Sequence, residues 1–195
     1  MFPNRFIHQV TPLSLLPFLL WACLAGAAPV AEDQRVPIDL RRTTLVVADI
    51  DRSLAFYRDA LGMTVVYDNK IRSPRSAASD DEAERVSRLV FLQANDDFVG
   101  VLGLLEYQKP RKPEPATASQ PFSIGTTVKV FNLENLEQQF EQVRGIAGVT
   151  IISEPSPRNY PSYDGKSTIP VLVSIVTDPD GFVVELNQLL VESVR

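Results

Sequence analysis

Histidine, cysteine and tryptophan are almost absent from this chain of 195 residues, since each occurs once, as His8, Cys23 and Trp21. All three lie near the N-terminus, so the rest of the chain has neither an imidazole nor a thiol. That excludes a Ser-His-Asp triad, a Cys-His pair, a disulfide and a zinc finger from the remainder. Phosphate-cradling glycine loops of the dinucleotide-binding or P-loop kind are also missing after every predicted strand.

The N-terminal segment has the features of an export signal. Arg5 gives a weakly basic start, Leu13 to Leu20 form an apolar stretch, and Ala25 to Ala27 provide a small-residue cleavage site. We therefore expect a signal peptide over residues 1–27 and a periplasmic or secreted protein. Two alternatives stay open, namely lipidation of Cys23, which would place the chain at a membrane, and retention of the whole segment as an anchor.

The expected mature chain is acidic and long enough for one domain. Loss of Arg5 would leave 18 basic and 24 acidic residues, a net charge of −6. Because no basic stripe is present, we expect no binding to nucleic acid. Roughly 160 residues suffice for one compact domain with an ordinary hydrophobic core. We place a flexible segment at residues 28–39 and the domain at residues 40–190.

The domain divides into two similar halves. In residues 40–107, an apolar β-branched run predicts a strand, and apolar residues at helical spacing predict a helix capped near Asp49 and ended by Gly62. Three further strands are predicted after it. Between the first two of these strands, the charged and serine-rich stretch from Asp68 to Arg85 is expected to be a mobile excursion.

The second half, residues 124–190, repeats this order of elements. Its first strand is predicted from Ile124 to Phe131, and Asn132 is predicted to cap the helix that follows. Three strands then close the half. The proline-rich connector, residues 108–123, is short enough to be an ordered crossover between two βαβββ modules.

A tight turn is predicted before the last strand. Asp178, Pro179 and Gly181 are the residue types that reverse a chain, in the order Asp-Pro-Asp-Gly. In the strand after the turn, Val184 and Leu186 share one face with Phe182 and should pack against the helices. Glu185 should therefore point to the opposite face.

These features together resemble the vicinal oxygen chelate superfamily, which includes glyoxalase I, extradiol dioxygenases, fosfomycin-resistance enzymes and bleomycin-binding proteins. The resemblance is carried by the duplicated βαβββ order, the stretch from Arg42 to Gly62 and the Asp-Pro-Asp-Gly hairpin, and it covers about residues 40–190. It implies an α+β fold in which two tandem modules form a curved mixed sheet with a concave cavity. It is specific for the fold and weak for the chemistry, since one fold supports many reactions.

The resemblance also implies four metal-ligand positions, most of which lack a suitable side chain here. They fall on Arg42, on or near Gly103, on Gly125 or Thr126, and on Glu185. A guanidinium cannot coordinate a cation, and glycine has no side chain to offer. Glu106 is near Gly103 in sequence but on the other face of its strand. We therefore expect no bound metal and no cofactor.

In place of a metal, Arg42 and Glu185 are expected to pair, because each alone would be a costly buried charge. Such a pair is either without function or a ligand site, in which Arg42 holds an anionic or carbonyl group and Glu185 orients it or acts as a general base. Lys129 is expected beside them, unless it is an ordinary solvated strand residue. The segment from Glu154 to Lys166 suits either a lid or a surface loop. The expected ligand-binding residues are Arg42, Thr44, Gly103, Thr127, Lys129, Arg158, Tyr160, Tyr163 and Glu185.

Two classes of function follow. The first is a metal-free binding protein for a small aromatic or anionic molecule, enclosed by the paired modules or by a homodimer. The second is an enzyme of the same superfamily. It would be either a lyase or isomerase that uses Glu185 and Arg42 for acid-base chemistry, or a glyoxalase-like or dioxygenase-like metalloenzyme whose ligands lie elsewhere. The missing ligands favour binding.

Overall fold

The computed structural model describes residues 31–113, 121–162 and 165–190. The predicted signal peptide, with Cys23, lies outside these ranges, and so do residues 114–120 of the connector. Ahead of the first strand, Glu32–Gln34 form one turn of 3₁₀ helix. Among the described residues, none of the helices combines the length and the apolar character that a membrane span requires.

The first module folds as predicted into a strand, a helix and three strands. Asp49 caps the helix by accepting hydrogen bonds from the backbone N–H groups of Asp51 and Arg52, and Gly62 ends it with a φ of 81°. The sheet order is β1-β4-β3-β2, with β1 parallel to β4 and the other pairs antiparallel. The elements are β1 (Arg42–Val46), α1 (Ile50–Leu54) continuing as a π-helical segment (Ala55–Ala60), β2 (Thr64–Ser73), β3 (Arg85–Gln93) and β4 (Val101–Lys109).

The second module repeats this topology in the sheet order β5-β8-β7-β6, again with one parallel pair, β5 and β8. Two four-stranded mixed sheets and few helices make an α+β fold, which confirms the predicted class. The elements are β5 (Lys129–Asn132), α2 (Leu136–Arg144), β6 (Thr150–Pro161), β7 (Thr168–Thr177) and β8 (Val183–Leu189).

Both helices pack into one hydrophobic core that draws residues from both modules. Leu45 and Leu104 enter it from the first sheet, Val184 and Leu186 from the second, and Phe140 from α2. Each sheet thus has a helix face, which contacts this core, and a second face on the opposite side. Because side chains alternate along a strand, the residues between these core positions lie on the second face.

Three predicted boundaries in the second module are wrong. β5 begins at Lys129 rather than at Ile124, whose side chain is fully exposed. The cap of α2 is Asn135, which accepts from the backbone N–H of Gln138, and not Asn132, which ends β5. β6 continues to Pro161, so most of the predicted loop from Glu154 onward is a strand paired with β7.

The predicted excursion after Asp68 is also wrong. β2 extends to Ser73, and the turn that follows is held by side chains. Asp80 accepts from Lys70 at 2.6 Å and from Arg72 at 2.7 Å, and Ala83 is buried. The charged composition therefore reflects paired surface charges on an ordered hairpin.

Candidate ligand-binding site

The Asp-Pro-Asp-Gly turn positions β8 and joins the two modules. Asp178 accepts hydrogen bonds from the backbone N–H groups of Asp180 and Phe182, and Gly181 has a φ of 88°, so the chain reverses as predicted. Asp180 then reaches the first module, where it accepts from the backbone N–H of Ala48 at 2.9 Å and from Arg52 at 2.8 Å. The same turn that sets the register of β8 therefore fixes it against α1.

Behind this turn lies a buried polar cluster. Tyr57 donates its hydroxyl to Asp178 at 2.6 Å, and both residues are fully buried. Burial, followed by the charge of Asp178, raises the pKa of Tyr57 well above its ordinary value. Burial also raises the pKa of Asp178, against the effect of its hydrogen bonds. The sequence does not reveal this pair, because Tyr57 and Asp178 lie in different modules.

Arg42 lies on the second face of the first sheet and stacks on an aromatic ring. Its guanidinium carbon is 4.1 Å from the centroid of the Phe91 ring, and Phe91 stacks on Tyr67 with centroids 4.8 Å apart and planes 24° apart. Arg42 is exposed, and none of its N–H groups donates a hydrogen bond to a described residue. We call Arg42, Phe91 and Tyr67 the arginine platform. It presents unused cationic donors above a hydrocarbon surface.

Thr44 and Gly103 lie next to each other on the same face. They are partners in the parallel ladder of β1 and β4, and a Cβ added to Gly103 would come within 2.6 Å of the Thr44 hydroxyl oxygen. The Thr44 side chain thus occupies the space above the glycine. Any side chain at position 103 that reached toward a metal would first have to displace it.

Glu185 lies on the second face of the other sheet and is half-buried, as its alternation with Val184 and Leu186 predicted. Its Oε1 atom accepts from the Tyr160 hydroxyl at 3.3 Å and from the Asn187 amide nitrogen at 2.9 Å. Burial and the adjacent Glu185 charge raise the pKa of Tyr160. We call Glu185, Tyr160 and Asn187 the glutamate cluster. Asn187 was not among the expected ligand-binding residues, although its spacing of two from Glu185 predicts that both lie on one face.

The predicted ion pair between Arg42 and Glu185 is wrong. Arg42 stacks on Phe91, whereas Glu185 is hydrogen-bonded by Tyr160 and Asn187, and the two charges do not form a salt bridge. Neither is buried deeply enough to require the other, since Arg42 is exposed and Glu185 only half-buried. The two groups are separate polar features on two different sheets.

Lys129 does not share a face with Glu185, so the expectation that it lies beside Glu185 is wrong. Lys129 is opposite Val184 in the ladder, and its ammonium lies 4.7 Å from the centroid of the Phe182 ring, on the helix face. The ammonium nitrogen is buried and has no hydrogen-bond partner among the described residues. Burial lowers the pKa of Lys129, although the Asp178 charge opposes this. Val130, which is opposite Glu185, occupies the second face instead.

The remaining predicted positions are not brought to Glu185 by β5. Thr127 and Thr126 precede the strand, and Gly125 lies in a turn with a φ of 94°. Arg158 is exposed on β6, where it pairs with Val171 in the ladder, so it is part of a hairpin and not of a lid. Tyr163 lies outside the described residues.

The donor set does not fit the metal that the resemblance implies. Within residues 31–113, 121–162 and 165–190, no three His, Cys, Asp or Glu side chains converge to a metal site. Glu106 cannot supply a missing ligand because it faces α1, where it accepts from the backbone N–H of Ile50 at 3.4 Å. The space above Gly103 is filled by Thr44. Glu185 is thus the one carboxylate left at the four expected positions.

Comparison with known proteins agrees with the fold. A family model described as the Glyoxalase/Bleomycin resistance protein/Dioxygenase superfamily matches residues 39–186. A glyoxalase family protein from Bacillus cereus has a similar structure, with a TM-score of 0.61 and 11% identity over 83% of this chain and 100% of its own. At that identity the likeness shows the fold alone.

Two further solved structures are more distant in shape. A trypanothione-dependent glyoxalase I from Leishmania major is 24% identical over 77% of this chain and 86% of its own, with a TM-score of 0.49. A family enzyme from Burkholderia phytofirmans is 19% identical over 78% of this chain and 100% of its own, with a TM-score of 0.44. No curated protein sequence is significantly similar to this chain.

Proposed function

The chain belongs to the Glyoxalase/Bleomycin resistance protein/Dioxygenase superfamily, and we propose that it is an exported protein that binds a small organic molecule without a metal. The observation that carries this proposal is the arginine platform. Arg42 is a charged side chain on the second face, its guanidinium carbon lies 4.1 Å from the centroid of the Phe91 ring, and its donors are not used by any described residue. An apolar surface with a few well-placed polar groups is the usual form of a small-molecule site.

The chemistry of the platform favours an aromatic anion. A guanidinium above an aromatic ring can donate its N–H groups to a carboxylate or a similar group, which it binds through two parallel hydrogen bonds. The aromatic side chains of Phe91 and Tyr67 beside the guanidinium then offer apolar contact for the rest of the ligand. The degenerate donor set supports a metal-free mode of binding, because Arg42 and Gly103 stand where metal ligands are expected.

The N-terminal segment supports the part of the proposal that concerns export. A periplasmic or secreted binding protein needs a cleavable leader, which residues 1–27 resemble. N-terminal sequencing of the protein purified from its native compartment should find a start near residue 28. A mature N-terminus at Met1 would contradict export by cleavage, and a lipid on Cys23 would show that the protein is anchored.

The experiment uses the chain without residues 1–27 and 2-naphthoate as the probe. We expect isothermal titration calorimetry to detect binding, and we expect Arg42→Gln to weaken it by about tenfold or more, because a hydrogen bond to a charged group is lost. Arg41→Gln is the matched control. Arg41 also stacks on a ring, that of Phe98, so this change removes the same charge and a similar contact. Equal affinities in the two variants would overturn the platform as the site.

The enzyme alternative is tested on the same sample. Glu185 keeps a half-buried carboxylate beside the Tyr160 hydroxyl, which is an arrangement that can move a proton. After long incubation, a binding protein should return 2-naphthoate and related carbonyl compounds chemically unchanged. Conversion that disappears in Glu185→Gln would show acid-base catalysis and replace the binding proposal.

A further inference from the structure

The amide of Asn187 has an oxygen without a donor. Asn187 is 6% exposed, and its Oδ1 atom is buried with no hydrogen-bond partner among the described residues. Its amide nitrogen donates to Glu185 Oε1 at 2.9 Å. Because a carboxylate can only accept, this bond fixes which end of the amide faces Glu185. The unpaired oxygen is therefore a consequence of the structure and cannot be removed by turning the amide over.

The other oxygen of Glu185 also lacks a donor among the described residues, although this oxygen is not a buried atom. Both of its donors, Tyr160 and Asn187, bond to Oε1, so Oε2 receives no hydrogen bond from a described residue. No described basic side chain forms a salt bridge with this carboxylate. Among the described residues, the glutamate cluster thus has two acceptors without a donor, of which only Asn187 Oδ1 is buried, and a carboxylate without a salt bridge. Buried acceptors are normally satisfied, and an exception calls for a partner.

The surroundings indicate what that partner is. Val130 and Ile175 flank Glu185 in the ladder on either side, and Val130 is 56% exposed. Apolar neighbours lower the local dielectric around the half-buried carboxylate and so strengthen its attraction to a cation. A protonated amine has three N–H donors and no acceptor, so it has enough donors for both oxygens, whereas a neutral hydroxyl has a single proton to give.

We propose that Glu185 Oε2 and Asn187 Oδ1 form a subsite for a protonated primary amine of the ligand. This inference rests on the proposed function, since it assumes that the second faces of the sheets bind a small organic molecule. It adds a cationic group to the ligand chemistry that the arginine platform recognises. The two features are independent in the structure, because Arg42 and Glu185 lie on different sheets.

The test compares two probes that differ in one group, 2-naphthylmethylamine, which is protonated at pH 7.5, and 2-naphthalenemethanol. We expect the amine to bind the wild-type protein at least about tenfold more tightly than the alcohol, because one hydrogen bond between charged groups contributes about that much to the affinity. In each of the variants Glu185→Gln and Asn187→Leu, the affinity for the amine should fall to the affinity for the alcohol. Asn159→Leu, a change on the exposed surface of β6, should leave the tenfold preference intact.

A second measurement uses only the wild-type protein and so does not depend on whether a variant folds. In a ¹⁵N-labelled wild-type sample, the side-chain amide signal of Asn187 should shift on addition of the amine and stay in place with the alcohol. Equal affinities of the two probes, or an unmoved Asn187 signal at saturation, would overturn the amine subsite. If 2-naphthoate still binds through Arg42 in that case, the proposed function stands and only the subsite is wrong. If none of the three probes binds, both proposals are wrong.

Discussion

Replacing Lys129 by methionine should make the protein more stable, which is unusual for a change in a folded interior. Lys129 keeps its ammonium buried on the helix face, 4.7 Å from the Phe182 ring centroid and without a hydrogen-bond partner among the described residues. Methionine has a similar length and no charge, so it can fill the same space against Phe182. The change therefore removes an unsatisfied donor and keeps most of the packing.

The size of the effect follows from two opposing contributions. An unsatisfied buried donor costs about 1–3 kcal/mol. The contact with the Phe182 ring and the attraction of Asp178 offset part of this cost. A cation–π contact alone is worth about 0.5–2 kcal/mol. Asp178 depends little on Lys129, because it already accepts from Tyr57 and from two backbone N–H groups. We expect Lys129→Met to raise the free energy of unfolding by about 1 kcal/mol at pH 7.

The pH dependence gives an independent check. Burial lowers the pKa of Lys129 in the folded state below its value in the unfolded chain. Above the unfolded pKa the amine is neutral in both states and costs nothing. As the pH falls from the unfolded pKa toward the folded pKa, the unfolded chain binds the proton more readily than the folded chain, and stability is lost until both states are charged. The advantage of Lys129→Met should therefore be small at strongly alkaline pH and grow toward neutral pH.

Urea unfolding followed by circular dichroism from pH 7 to pH 11 measures both effects. Lys70→Met is the control, because it removes an exposed ammonium that pairs with Asp80 and should change stability by less than about 1 kcal/mol. A loss of stability in Lys129→Met would refute the reasoning, since it would mean that the attraction to Asp178 exceeds the cost of burial. A gain that does not vary with pH would refute the assigned cause.

Three further predictions concern the ligand positions. Gly103→Ala should destabilise the protein by about 1–3 kcal/mol through overpacking against Thr44, and Thr44→Ala should recover most of this loss in the double variant, as measured by thermal unfolding. Arg42→Met and Glu185→Gln should have additive effects on the free energy of unfolding, because the two side chains are not partners; a coupling above about 0.5 kcal/mol would contradict this. After exposure to zinc, nickel, manganese or iron and desalting, elemental analysis should find far less than one metal equivalent per chain, and stoichiometric metal would overturn the metal-free proposal.

The elements that the sequence predicted correctly are those controlled by neighbouring residues. The start and end of the first helix follow from Asp49 and Gly62, whose effects reach only one turn. The reversal before β8 follows from Asp178 and Gly181 in the same way. The direction of Glu185 was also predictable, because two apolar neighbours in a strand decide which face it avoids.

The errors arose where a strand's length or register depends on its partner. Nothing local shows that β5 begins at Lys129, since the β-branched residues Thr126, Thr127 and Val128 directly before it also favour a strand. The ladder with β8 decides this, and it places Lys129 opposite Val184 on the helix face. The predicted lid failed for the same reason, because pairing with β7 extends β6 through two prolines to Pro161.

The same distinction, between what neighbouring residues determine and what strand pairing determines, applies to the candidate site. The sequence by itself determined the two modules, the turn and the face of Glu185, because these depend on residue type and on spacing within one element. The family resemblance implied that Arg42 and Gly103 stand at ligand positions, where neither residue type can bind a metal. Only the tertiary structure decided that Arg42 stacks on Phe91, that Thr44 fills the space above Gly103 and that the Asn187 amide is left with a free oxygen. Each of these contacts, or its absence, is set by strands that are distant in the chain and adjacent in a sheet, a relation that alternation within one strand does not encode.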